Sequence, residues 1–324
     1  MAYSEAVLQR AQTRLEQARQ QHDEETRSRI AAIYAQQPRL KEIDTKLRQT
    51  AARVMAVSFR RGEDPSQAME ALRKENLALQ QEREWILESN DIDPDDLDDA
   101  PICPNCGGRG YVGAVMCDCL RELCRQEQKK ELSRLIGTGR ESFERFNLDL
   151  YPDKYEADLG SSPRVLMGKV LQTAQRYAKS FSPRSGSLLF IGPTGLGKTY
   201  LSACIARTVA DHGFSVVYDT AAQLFADFEA AKFGKAADPA LTGRYLNCDL
   251  LIIDDLGTEM TTQLVVASLY QVINTRLMAQ RQTIISTNLP VGELERRYSA
   301  QIASRLLGVF EVCRFAGNDI RMMK

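Results

Sequence analysis

Apolar side chains in the first quarter of the chain recur at three- and four-residue spacing, the period of an amphipathic helix. The clearest run shares one helical face and consists of Leu40, Ile43, Leu47, Ala51 and Val54. The pattern predicts three helices, at about residues 4–36, 39–60 and 65–89. Pro38 separates the first helix from the second. The third helix is predicted to begin with Asp64 as its N-cap and Pro65 at its first helical position.

These helices would form a hairpin-like bundle or coiled coil over residues 1–90. Their charged residues are mixed in sign, which suits solvated faces. Two interpretations stay open: a structural helical domain, and a docking domain for another protein.

The second half of the chain has a different pattern, in which short apolar runs alternate with helical segments. The runs predict strands at residues 187–191, 214–218, 250–253, 282–288 and 309–315. Helices are predicted at residues 165–181, 200–206, 221–233 and 294–307, with a last one beginning at 318. This alternation predicts an α/β domain over residues 140–324, with a parallel sheet.

Two segments separate the halves. Residues 91–100 are acidic and contain Pro94, which predicts a solvated linker. Residues 101–136 hold a cysteine-rich segment and a connecting helix, and the Gly137-Thr138-Gly139 turn marks the expected domain boundary.

Composition narrows the class of protein. The formal net charge is −1, so bulk charge does not favour nucleic acid or a membrane surface. No apolar run approaches the roughly 20 residues that span a bilayer, and the polar N-terminus lacks the apolar core of a signal peptide. We therefore expect a cytoplasmic protein with no membrane partner, whose thiols stay reduced.

Five of the eight cysteines cluster within 22 residues of chain, which in a reducing compartment favours a metal. Cys103 and Cys106 form one pair, Cys117 and Cys119 a second, and a Gly-rich turn separates them. Four thiolates in this arrangement can bind Zn²⁺ tetrahedrally and hold together a segment too short to fold on its own apolar core. Cys124 is the alternative to Cys119 as the fourth ligand, and a redox C-x-x-C is less favoured.

The strongest motif is a complete G-x-x-x-x-G-K-T phosphate loop between a predicted strand and a predicted helix. The expected nucleotide contacts run from the loop into the first turn of the helix: Gly192, Pro193, Thr194, Gly195, Leu196, Gly197, Lys198, Thr199 and Tyr200. Glycines let successive N–H groups point at one phosphate group, at the positive end of the helix. Lys198 would reach the β- and γ-phosphates, and the Thr199 hydroxyl would bind Mg²⁺.

A second motif follows at the predicted strand 250–253, which ends in Asp254 and Asp255. Ligands of α/β sheets bind at the carboxyl ends of the strands. Asp254 would act on Mg²⁺, directly or through water, and Asp255 would orient or deprotonate the attacking water. Asn288, at the end of the next strand, is placed to contact the γ-phosphate or its water.

One further helix carries aromatic residues interleaved with lysines, a pattern that can bind single-stranded nucleic acid by stacking and phosphate contacts. Its residues are Phe225, Phe228, Lys232 and Phe233, followed by Lys235. Apolar residues at helical spacing are more often core, so we keep nucleic-acid binding by this helix as the minor interpretation.

Together the phosphate loop, Leu-Leu-Ile-Ile-Asp-Asp-Leu-Gly and Ile-Ser-Thr-Asn-Leu resemble AAA+ ATPases, in particular the DnaC/DnaI branch of bacterial replicative-helicase loaders. The resemblance covers about residues 140–324, and the cysteine-rich segment is similar to that of DnaI-type loaders, although here it is all cysteine. It implies a five-stranded parallel sheet in the order 5-1-4-3-2. By position it makes Asn288 sensor 1, Arg305 the arginine finger that reaches a neighbour's nucleotide, and Arg321 sensor 2.

The resemblance implies an ATPase that assembles on single-stranded DNA and delivers or remodels a hexameric replicative helicase, with self-association through the ATPase domain. ATP, Mg²⁺ and Zn²⁺ are the expected cofactors. An IstB-type transposition helper ATPase shares the same core and is the alternative. A nucleotide-gated adaptor with negligible hydrolysis is a third possibility.

Overall fold

The computed structural model describes residues 3–58, 65–135, 141–233 and 239–322. The chain divides into two compact units. A helical unit comprises Arg14–Cys117, and a sheet unit comprises Met1–Thr13 with Asp118–Lys324. None of the helices in the described part of the chain is long and apolar enough to cross a membrane.

The helical unit contains most of α1 (Glu5–Gln36), then α2 (Pro38–Arg48), α3 (Thr50–Ser58) and α4 (Pro65–Ser89). A two-stranded antiparallel hairpin follows, formed by β1 (Tyr111–Val112) and β2 (Val115–Met116). The core of the unit consists of Leu40, Ile43, Leu79, Ile86, Leu87 and Leu97. The helical N-terminal region is confirmed.

Two details of this unit differ from expectation. The predicted helix 39–60 is two helices, because α2 ends with Gln49 as its C-cap before α3 begins. The acidic segment 91–100 is not merely solvated spacing, because Leu97 is buried in the core and the segment packs on α1. There the Arg29 guanidinium donates to the carbonyls of Asp96 and Asp98. The predicted N-cap Asp64 lies outside the described residues.

The sheet unit is built on five parallel strands: β3 (Leu188–Ile191), β4 (Val216–Thr220), β5 (Leu250–Leu256), β6 (Gln282–Thr287) and β7 (Glu311–Arg314). Their order across the sheet is β4-β5-β6-β3-β7. Counted from β3 as the first strand of this sheet and read from the β7 edge, the order is 5-1-4-3-2. The predicted α/β fold with a five-stranded parallel sheet is confirmed.

Both faces of the sheet are covered, since successive residues of β3 contribute to different cores. Leu188 and Phe190 belong to one buried apolar cluster, whereas Leu189 and Ile191 belong to another. The helices of the unit are α5 (Asp118–Leu135), α6 (Pro163–Lys179), α7 (Lys198–Asp211), α8 (Ala221–Phe233), α9 (Pro239–Asn247), α10 (Gln263–Met278), α11 (Val291–Tyr298) and α12 (Ala300–Val309).

Helix α5 belongs to the sheet unit. The Gln128 side chain donates to the Phe214 carbonyl at 2.9 Å and accepts from the Val216 N–H at 3.0 Å. Because β4 is an edge strand, this amide satisfies backbone groups that no strand pairs with. The expected boundary at 137–139 lies outside the described residues.

The C-terminal elements are more broken than predicted. The helix expected at 294–307 is two helices, α11 and α12, which Ser299 divides with a φ of 131°. The Ser299 hydroxyl then accepts from the Ile302 N–H and begins α12. The last strand is shorter than residues 309–315, and the final helix is a single 3₁₀ turn, Ile320–Met322. Helices α9 and α10 are not among the predicted elements.

Candidate functional site

The phosphate loop connects β3 to α7, as the sequence predicts. Gly195 and Gly197 adopt φ angles of 74° and 86°, which only glycine accommodates without strain. Gly197 is the N-cap of α7, so the first N–H groups of that helix have no intrahelical partner and face the loop. Backbone donors at a helix N-terminus are the chemistry that a phosphate group requires.

A cavity of about 310 Å³ opens over this loop. The structure brings together there most of the predicted nucleotide contacts with one of the two acidic residues. Its lining comprises Thr194, Gly195, Leu196, Gly197, Lys198, Thr199, Tyr200 and Arg321, together with Glu141, Ala203, Asp255 and Ile320. Gly192 and Pro193, at the start of the loop, are not among the lining residues.

Lys198 is buried, and its ammonium group folds back onto its own loop. Nζ donates to the carbonyls of Gly192 at 2.6 Å and Pro193 at 2.7 Å. Burial lowers the pKa of this ammonium, and the nearby charges of Asp255 and Asp254 act in the opposite direction. The loop therefore holds a desolvated cation beside the cavity, which suits a polyanionic ligand.

The two carboxylates that end β5 have different environments. Asp254 is buried and does not line the cavity. One of its oxygens accepts from the Tyr218 hydroxyl at 2.7 Å, and the other accepts from the Ser286 hydroxyl. Each carboxylate oxygen keeps a further lone pair, so Asp254 can still accept a hydrogen bond from, or coordinate, a hydrated Mg²⁺.

Asp255, by contrast, is exposed to the cavity. Its backbone has a φ of 56°, uncommon for a residue with a side chain. Burial raises the pKa of its carboxyl group, the neighbouring Asp254 raises it further, and Lys198 and Arg321 lower it. A raised pKa with access to the cavity suits a group that accepts a proton from water.

Asn288 follows β6, where the Ser-Thr-Asn motif predicts a polar contact to nucleotide. Its Oδ1 is buried and makes no hydrogen bond to any residue that the structure describes. Asn288 is not among the residues that line the cavity.

Arg305 lies on α12, is half-buried, and is not among the residues that line the cavity. Its guanidinium stacks on the Tyr270 ring at 4.8 Å and donates to the Tyr270 hydroxyl at 3.1 Å. The structure thus does not bring Arg305 to the cavity over the phosphate loop of its own chain.

The C-terminal segment closes one side of the loop. The Ile320 N–H donates to the Gly195 carbonyl at 3.1 Å, and the Arg321 N–H donates to the Asp319 carboxylate at 2.9 Å. This short 3₁₀ turn places Arg321 in the lining of the cavity.

The predicted site residues do not include Ser142, Phe146 or Tyr151, which contact the phosphate loop and the first turn of α7. The Tyr151 hydroxyl donates to the Leu196 carbonyl at 2.9 Å, and Phe146 lies against Gly197, where an added Cβ would come within 3.0 Å of its ring. The Tyr200 hydroxyl bonds both backbone groups of Ser142. The sequence signal for these contacts is limited to two apolar residues ahead of α6, Phe143 and Phe146.

The aromatic residues of α8 are mostly core. Phe225 and Phe228 are buried, so they offer no face to a base. Phe233 alone is largely exposed, with Lys232 over its ring at 5.5 Å. Lys235 lies outside the described residues. The minor interpretation of this helix as a base-stacking surface is therefore wrong for its two central aromatic residues.

The cysteine pairs come together as a four-thiol cluster. The sulfur atoms of Cys103, Cys106, Cys117 and Cys119 all lie within 4.8 Å of one another. The Cys103 and Cys117 sulfurs are 3.8 Å apart, close to the roughly 3.8 Å edge of a tetrahedron with 2.3 Å Zn–S bonds. Cys124 is outside the cluster and buried, and burial raises the pKa of its thiol to about 11. The geometry thus fits a metal and favours Cys119 over Cys124.

Comparison with known proteins bears on the sheet unit. Residues 169–321 match the family model of the IstB-like ATP binding proteins. Among curated relatives, a replicative helicase loader DnaC from Buchnera aphidicola (Schizaphis graminum) is 23% identical over 188 residues, spanning 57% of this chain and 73% of that protein. The DnaC loader of Escherichia coli K12 is 25% identical over 137 residues, spanning 42% and 56%. The predicted resemblance to DnaC-type loaders is confirmed.

Two solved structures align with part of the chain. A crystal structure of the DnaC helicase loader aligns with a TM-score of 0.45 at 22% identity, covering 54% of this chain and 98% of that one. A crystal structure of DnaI aligns with a TM-score of 0.46 at 19% identity, covering 60% and 100%.

Proposed function

We propose that this protein is an ATP-dependent loader of a hexameric replicative DNA helicase. The observation that carries the proposal is the cavity over the phosphate loop of a chain that resembles DnaC, a cavity lined by Lys198, Thr199, Asp255 and Arg321. Such a cavity offers backbone donors and a lysine to phosphate, and a carboxylate to the attacking water.

In this proposal the loop N–H groups and Lys198 hold the phosphates of ATP. Thr199 and Asp254 are the side chains for Mg²⁺, which when bound neutralises charge on the phosphate oxygens. Asp255 takes the proton of the attacking water, and Asn288 orients that water. Arg305, half-buried on α12, supplies its guanidinium to the cavity of a neighbouring subunit, so self-association completes the site.

The remaining parts act outside the chemistry. The four-cysteine cluster holds Zn²⁺ in a structural role. The helical domain and the zinc segment bind the helicase, and the ATPase domain binds single-stranded DNA. The protein acts in the cytoplasm, where its thiols stay reduced.

Affinity capture from native cell extract tests the partner. With ATP and Mg²⁺ present, we expect the full-length protein to retain the replicative helicase. A Lys198→Ala bait is the control for nucleotide dependence. Retention of a transposase in place of the helicase would support the alternative, an IstB-type transposition helper, which the IstB-like family match favours.

Single-turnover hydrolysis of ATP tests the enzyme activity separately. Hydrolysis that single-stranded DNA changes supports an ATPase cycle coupled to DNA. ATP binding with no turnover, with or without DNA, would show a nucleotide-gated adaptor instead.

A further inference from the structure

We propose that Tyr218 is a positioning residue of the ATPase site: with Ser286 it holds Asp254 so that Asp255 faces the cavity. This inference rests on the proposed ATPase function. Neither Tyr218 nor Ser286 lines the cavity, so both would act only through the two aspartates.

The hydrogen bonds around Asp254 have only one consistent direction. The Asp255 N–H can only donate, and it donates to the Ser286 Oγ at 2.9 Å. The Ser286 hydroxyl proton is therefore free for one oxygen of Asp254, and the Tyr218 hydroxyl donates to the other at 2.7 Å. Two O–H donors, one on each oxygen, fix the plane of the Asp254 carboxylate.

The backbone of Asp255 is fixed by the same network. Its N–H is bonded to Ser286, and its carbonyl accepts from the Thr258 hydroxyl at 3.0 Å. The pairing of β5 with β6 shifts register here, because Ile253 pairs with Ile285 whereas Leu256 pairs with Thr287. Three steps of β5 thus oppose two of β6, a bulge of the kind that redirects a side chain next to an active site.

Tyr218 completes this arrangement from the opposite side. It lies on β4, two residues before Thr220, which pairs with Asp254 in the parallel register. Its side chain is 5% exposed, so a phenylalanine would fill the same space and remove the hydroxyl alone. Carboxylate position therefore depends on three adjacent strands, β4, β5 and β6.

Tyr218→Phe tests the inference. We expect kcat for ATP hydrolysis to fall roughly 10- to 100-fold, the usual effect of removing a partner that orients a metal-site carboxylate. KM for ATP and the Kd of a fluorescent ATP analogue are expected to stay unchanged, because the phosphate loop is intact. Tyr245→Phe is the matched control, since the Tyr245 hydroxyl also bonds buried carboxylates, those of Asp219 and Asp227.

A second measurement needs no activity. Amide hydrogen exchange of the nucleotide-free protein should become faster across residues 254–257 in Tyr218→Phe and in Ser286→Ala, but not in Tyr245→Phe. In Asp254→Asn protein, adding Tyr218→Phe should lower kcat no further, because tyrosine acts through that carboxylate.

The outcomes separate the two claims. Wild-type kcat and wild-type exchange in Tyr218→Phe would overturn the positioning role and leave the ATPase in place. A wild-type protein that binds but never hydrolyses ATP would overturn the proposed activity, and the exchange data would then decide the positioning role alone.

Discussion

Lys198→Ala is expected to abolish the stabilisation that ATP gives to the sheet unit while leaving the fold intact. In the nucleotide-free protein the substitution removes two charge-assisted hydrogen bonds, to the carbonyls of Gly192 and Pro193. Such bonds contribute about 1.5–3 kcal/mol each. The loss is opposed by release of a buried ammonium, whose desolvation already lowers its pKa. We therefore expect only a small change in Tm without ligand.

With ligand, the difference becomes large. A ligand at about 100 times its Kd raises the free energy of unfolding by about 2.7 kcal/mol. For a unit of roughly 150–250 residues each kcal/mol shifts Tm by about 2–4 °C, so ATP with Mg²⁺ should raise the wild-type Tm by roughly 5–11 °C. In Lys198→Ala the rise should be close to zero.

The assay is thermal unfolding with and without ATP and Mg²⁺. Lys169→Ala is the control, because Lys169 is exposed on α6 of the same unit and lies outside the cavity lining. A Lys198→Ala protein that ATP stabilises as strongly as the wild type would refute the assignment of the loop lysine to phosphate.

Two further expectations concern the cysteine cluster and Arg305, the proposed arginine finger. Elemental analysis of the purified protein should find one Zn²⁺ per chain. The Cys119→Ser protein should lose this Zn²⁺, and the Cys124→Ser protein should keep it. The reverse pattern would show that the fourth ligand is Cys124. Arg305→Ala should bind ATP normally but lose hydrolysis, since a finger supplied in trans contributes roughly 10³–10⁵ in rate in GTPases. Mixing it with Asp255→Asn protein, under ATP and single-stranded DNA, should restore part of the activity; wild-type hydrolysis by Arg305→Ala alone would exclude a shared site.

The sheet and its loop could be predicted because each strand has a local signal. β3 is a short apolar run followed by the glycine-rich phosphate loop, and β5 is a short apolar run that leads into two carboxylates. Each run can therefore be located from the functional motif that follows it. The break between α11 and α12 could not be predicted, because Ser299 adopts a φ of 131° that its sequence neighbours do not require.

Within the site, motifs predict which residues lie near the phosphate loop but not which way they face. Asp254 and Asp255 are adjacent and chemically identical, yet Asp254 is buried and Asp255 is exposed, at the point where the register of β5 against β6 shifts. The same limit applies to Arg276, a fully buried guanidinium on α10 that donates to the backbone carbonyls of Tyr245, Cys248 and Gln282. A cation held by carbonyls rather than carboxylates leaves no charge pattern in the sequence.

Gly192 illustrates how two selective pressures can act on one position. Its φ is 157°, and a Cβ built there would lie 2.4 Å from the backbone carbonyl oxygen of Phe315, just beyond β7. Backbone cannot yield as a flexible side chain can, so every other residue type is excluded by packing before nucleotide is considered. A saturation library selected only for folded protein should therefore lose variants at this position. If the first loop glycine proves invariant among relatives, packing against the chain that follows β7 would explain that invariance as well as nucleotide binding would.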